Sequence, residues 1–250
     1  MDTWFAWPAL ALLAGALALV PLGRQVLARG VVFIDLAVAQ AAAAGSLWSM
    51  VLLHRGHAQA ADLPGLVGAL VCAAAVAWIS VRWPARREAL IGLLYVSFAC
   101  LALLGARLDV HGRDRMLELL AADLLWAQGP PVLVLCAAAA ALWALLIWRP
   151  HLLQRDAPFY ASFAAVVSLA VPVLGLFVVF ALLIAPALWL QEQSDASESF
   201  HPGRILPAAS LGLLAGLVGL AGSWWWDAPS GACVALACAL LGLGALLRRI

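Results

Sequence analysis

"GRQVLARGVVFIDLAVAQAAAAG", Gly23 to Gly45, sets two arginines before a stretch that is otherwise alanine and aliphatic yet keeps a carboxylate, Asp35, and an amide, Gln40. An apolar run of about 20 residues is what a helix needs to cross a bilayer, so the two polar side chains are the features to explain. The same kind of run recurs along the 250 residues, which are 66% hydrophobic and 11% charged. Continuous leucine, alanine and valine exclude the alternating pattern of a membrane β-barrel, and a helix satisfies its own backbone in lipid. The fold expected is therefore all-α, a polytopic transmembrane helical bundle forming a single domain over residues 1–250.

Hydropathy places spans at Trp4–Pro21, Val31–Leu53, Leu63–Val81, Ala89–Ala106, Pro131–Trp148, Phe159–Val171, Val173–Leu190, Ile205–Trp224 and Ser230–Leu247, giving about 8–9 crossings. The count turns on Ala157 to Leu190, where "AVPVLG" reads either as a turn between two short crossings or as a kink in one helix. Cytoplasmic loops carry the excess of basic residues. With the N-terminus outside and the C-terminus cytoplasmic, ten arginines fall inside and Arg55, Arg107, Arg113 and Arg115 outside. The opening "MDTWFAWPALALL" has an acid where a signal peptide has its positive region, so the first run reads as a retained span.

Two connections are too polar to span. "RLDVHGRDRMLELLAADLLWAQGPP" is amphipathic, suited to an interfacial helix or a re-entrant segment, and "QEQSDASESFHPGR" is a serine-rich loop. All 14 basic residues are arginine, and no phosphate-cradling G-x-x-x-x-G-K-[ST] motif is present. No convergent catalytic set appears, so the chain is not expected to be an enzyme or to bind a cofactor or nucleic acid. The five cysteines lie inside apolar runs without C-x-x-C spacing and read as small buried hydrophobes.

Polar groups within the spans are the pathway candidates. Gln40 lies deepest; Asp35, one turn into its helix, is placed either to be solvated or to pair with Arg29. Five residues advance a helix by roughly 500°, so the two side chains stand about 140° apart and need not form one site. Glu88, following Arg86 and Arg87, suits a surface ion pair, and Asp123 lies in "LAADLLWA". On the outer side, His54, His57 and His111 with Asp109 form a loose set that could attract a divalent cation, with no metal site defined.

Taken in order, these stretches resemble the membrane permease of bacterial zinc/manganese-type importers, the ABC-3 family. "GRQVLARGVVFIDLAVAQAAAAG" is similar to the family segment in which a basic turn leads into F-x-G-D-A-x-S-H-x-x-x-P-G. "EALIGLLYVSFACLALL" resembles its E-x-x-I-G helix, "LAADLLWA" its L-F-G-D-I-L stretch, and "VPVLGLFVVFALLIAPALWL" its V-G-x-x-L-V-x-A-L-L-I-I-P-A segment; "DAPSG" matches the turn before its last helix. Aligning Gly45 with the family glycine puts Gln40 at the histidine position, Ala39 at the serine, Ala44 at the proline and Leu36 at the aspartate, with Asp35 one residue early.

The resemblance implies a homodimeric permease of the bacterial inner membrane, carrying zinc first, with manganese and iron as the alternatives. It implies cytoplasmic ATPase subunits that bind the ATP and an extracytoplasmic metal-binding protein. It also implies an ATPase-contacting segment near Pro186, Gln191, Glu192 and Arg204. The amide in place of an imidazole implies weaker, more hydrated coordination or a different substrate. An ATP-independent secondary transporter is the alternative class; its inverted repeats would require a second broken helix paired with "AVPVLG", and none is visible.

Overall fold

The computed structural model describes residues 5–53, 63–108, 112–120, 122–191 and 202–247. Its helices are α1 (Ala6–Arg29), α2 (Ile34–Leu53), α3 (Leu63–Arg82), α4 (Arg87–Leu108), α5 (Gly112–Leu120), α6 (Gly129–Trp148), α7 (Pro150–Gln154), α8 (Asp156–Leu174), α9 (Leu176–Gln191), α10 (Pro202–Trp226) and α11 (Ser230–Leu247). Two short 3-10 turns, Pro84–Arg86 and Leu124–Trp126, complete the set, and no strand occurs among the described residues. Seven of the helices are long and apolar enough to cross a membrane, and two more, Leu176–Trp189 and Ser230–Ala245, are apolar but shorter. The protein is a multi-pass helical membrane bundle.

The first span does not end at Pro21, as hydropathy suggests. Pro21 is buried inside α1, which continues through Arg24 to Arg29, so the expected basic turn forms the last turns of a helix. A proline removes one backbone hydrogen bond, and packed neighbours within a membrane bundle tolerate that loss. The chain instead turns at Gly30, whose φ of 61° is the left-handed cap glycine accepts readily; Val31 N–H then donates to the Val26 carbonyl at 3.2 Å.

Although consecutive, α1 and α2 diverge. Helix α2 packs between α3 and α4, whereas α1 lies against α6, α9 and α10; α8 joins the two groups by packing on α3 and α6. Small residues permit these close crossings: Gly68 of α3 abuts the Ala41 carbonyl of α2, and a side chain there would collide with backbone. Indole N–H groups tie other helices, Trp48 donating to the Leu101 carbonyl, Trp143 to Leu17 and Trp189 to Leu241, each at 2.9 Å.

The segment Ala157 to Leu190 forms two helices. Pro172 precedes the break, and Gly175, at φ 79°, starts the return. Asp156, at the start of α8, meets Arg29 at the end of α1, and Leu183 of α9 lies against Gly23 near that same end, so α8 and α9 run in opposite directions. Leu174, at the apex, packs instead against Gly15, midway along α1. The reversal is therefore inside the bundle. Helix α5 descends beside it, with Gly112 packed on the Ala106 backbone and Met116 and Leu120 reaching the apex. The described part of the amphipathic connection thus includes a short helix against the bundle, with Met116 and Leu120 partly buried beside the apex.

Candidate functional site

The deepest polar group in the sequence meets this buried reversal. Gln40 is 7% exposed, and its Oε1 has no hydrogen-bond partner among the described residues. It faces a small, partly open cavity lined by Ala39 and Ala43 of α2, Met116 and Leu120 of α5, and Val171 and Leu176 on either side of the apex. The space holds about one water molecule. An unpaired buried amide oxygen is costly, so this position favours a polar partner such as a water molecule.

The apex supplies similar chemistry. A helix ending at Leu174 leaves its last four carbonyls without intrahelical partners, and the Gly175 N–H, at 2.8 Å from the Val171 oxygen, takes one of them. Carbonyls at a helix C-terminus carry partial negative charge. Broken helices offering such carbonyls within a membrane are a recognised way to hold a cation. Gln40 contributes a neutral oxygen to this space, a donor suited to a hydrated or oxygen-ligated cation, while the other lining side chains are apolar, Met116 among them.

Asp35 stands apart from that cavity. It is fully buried in the first turn of α2, where the helix dipole favours a negative charge, and both carboxylate oxygens lack partners among the described residues. The expected solvation or pairing with Arg29 is not found. Arg29 turns the other way: Nε donates to Asp156 Oδ1 at 3.1 Å, Nη2 to the carbonyls of Leu153 at 3.1 Å and Gln154 at 2.9 Å, and Nη1 to Gln25 Oε1. Its guanidinium also lies over the Phe159 ring, 4.1 Å from the centroid. One side chain thus joins the ends of α1 and α7 to the start of α8. The cluster was not legible in the sequence because Arg29 lies more than 120 residues from Leu153, Gln154 and Asp156, and none of them is unusual alone.

Glu88 also departs from expectation. Neither Arg86 nor Arg87 pairs with it; Oε1 accepts a 3.4 Å bond from the Phe33 N–H, and Oε2 is buried without a partner. The carboxylate therefore fastens the start of α4 to the α1–α2 turn. Asp123 lies at the opposite end of the bundle, accepting bonds from Leu125 N–H at 3.2 Å and from the Ser230 hydroxyl at 2.6 Å. It ties the 3-10 turn to α11.

Pro186 is buried in α9 against Gly212 of α10. Gln191 and Arg204 belong to α9 and α10, but their side chains, like His54, His57, Asp109, His111 and Glu192, lie outside the described residues. No group of three or more His, Cys, Asp or Glu side chains converges among the described residues.

The comparisons with known proteins agree with this architecture. Residues 151–249, the part that holds the helical reversal and the last two helices, match the ABC 3 transport family. Over the whole chain the fold is similar to that of PsaBC from Streptococcus pneumoniae, solved in complex with Fab, with a TM-score of 0.73 and 19% identity. That likeness covers 98% of this chain and 91% of the other, and it establishes the fold. No curated protein matches the sequence.

Proposed function

We propose that the chain is the membrane permease of an ATP-binding cassette importer for divalent transition-metal ions. The observation that carries this reading is the match of residues 151–249 to the ABC 3 transport family. The unpaired Gln40 oxygen beside a helix reversal inside the bundle supports it independently, as a place where a cation could pass. The chain would work as a homodimer in a bacterial inner membrane, with the arginine-rich end cytoplasmic. Separate ATPase subunits would supply the energy and an extracytoplasmic metal-binding protein the ion.

In this mechanism the tight packing around Gln40 belongs to a state closed to passage. ATP-driven closure of the ATPase pair would shift the helices between outward-open and inward-open arrangements, each stabilised by its own contacts. Gln40 and the carbonyls ending α8 would replace part of the ion's water shell without holding it tightly. Zinc, manganese and iron are the candidate ions; zinc is first by resemblance, while the neutral Gln40 oxygen in place of an imidazole supports manganese.

The test is purification from native membranes in mild detergent, with identification and stoichiometry of co-purifying proteins. A near-equimolar protein carrying a P-loop is the expected result. Recovery of the chain alone, even after cross-linking, would overturn the reading.

A further inference from the structure

The corner between α3 and α4 projects from the bundle with no role in the proposed pathway. "RWPARR", Arg82 to Arg87, places three arginines within six residues. The intervening 3-10 turn, Pro84–Arg86, packs only on α3 and α4 among the substantial contacts of the described elements. Arg82 and Arg86 are exposed and form no ion pair among the described residues, whereas Arg87 is turned toward Gly30. The nearest acid, Glu88, is engaged with the Phe33 N–H. Two positive charges are thus presented outward.

Their surroundings are those of a membrane interface. Trp78 and Trp83 meet edge to face with centroids 4.9 Å apart, and the Arg82 guanidinium lies 5.6 Å from the Trp83 ring. From this pair back toward its start, α3 exposes an apolar stripe through Trp78, Val71 and Val67, with Val81 on the same face. Such spacing keeps the side chains on one face of the helix, which is the face turned to lipid tails. Indole rings settle at the level of lipid headgroups, and arginine forms paired hydrogen bonds with phosphate.

We infer that this corner is a binding site for an anionic phospholipid, with the headgroup phosphate held by Arg82 and Arg86 and the acyl chains lying along the α3 stripe beneath Trp78 and Trp83. Continuity of the charged corner with the tail-facing stripe selects a lipid over a soluble anion, which would leave the stripe unused. A zwitterionic lipid lacks the net charge that two exposed guanidinium groups attract. The site is independent of which ion the protein carries.

The experiment is native mass spectrometry of the full chain from mixed micelles of phosphatidylglycerol and phosphatidylcholine, with inorganic phosphate in a separate arm. Wild type should retain phosphatidylglycerol in preference to phosphatidylcholine and gain little from phosphate. R82Q/R86Q should reduce that preference by about tenfold, and R82K/R86K should keep most of it. Equal retention of both lipids by the wild type overturns the inference without needing any variant. So does an unchanged preference in R82Q/R86Q, or a corner whose loss releases a co-purifying protein while lipid retention stays the same.

Discussion

Gly23 of α1 lies so close to the carbonyl of Leu183 in α9 that no side chain fits between them. This crossing holds the returning arm of the α8–α9 reversal against the first helix. In a membrane, where lipid tails are as apolar as leucine, such proximity is itself a principal source of helix association.

Gly23→Val should therefore separate α1 from α9. Its methyls would press on backbone, which cannot rotate away, and overpacking of this kind costs about 1–3 kcal/mol or more. A lowered thermal midpoint in detergent is the expected reading. Gly92 of α4, where a Cβ would meet no neighbour within 4 Å among the described residues, provides the control: Gly92→Ala should not lower the midpoint.

Arg29 joins three helix ends through a fork of donors over Phe159, an arrangement that depends on a planar guanidinium. Arg29→Ala should destabilise the protein by about 2 kcal/mol, because two carbonyls and Gln25 lose a charged donor. The Asp156 partner is half exposed and adds little to that figure. Arg29→Lys should recover less than half of the loss in the same thermal measurement, since an ammonium cannot make the same set of bonds.

Gln40→Leu keeps the volume of the side chain but removes its oxygen. Metal uptake should fall to background while the chain still purifies with its partners at the same stoichiometry. Unchanged uptake would remove Gln40 from the pathway.

Asp123 and Ser230 share a 2.6 Å hydrogen bond between the 3-10 turn and the start of α11. Single alanine variants should each lower stability by about 1 kcal/mol, and the double variant by clearly less than their sum, because both remove the same bond. Strict additivity in the double-mutant cycle would show that the pair is not coupled.

Much of this architecture was legible in the sequence because membrane burial writes itself into composition. Runs of leucine, alanine and valine located the long helices, and "AVPVLG" marked the break that became Pro172 and Gly175. Hydropathy failed at Pro21, where it treats proline as a terminator although packed neighbours carry the helix eight residues further, to Arg29. It could also not choose between a kink and a reversal at Gly175, since that depends on which helices receive the returning arm.

The sequence alone determined a polytopic helical protein with a carboxylate and an amide kept on one alanine-rich helix, because apolar length and isolated polarity are local properties. Only the tertiary structure decided that Gln40 faces the reversal, that Asp35 is buried away from it, and that Arg29 pairs with Asp156. Which polar groups meet is set by packing between helices distant in the chain, and neither hydropathy nor periodicity carries that information.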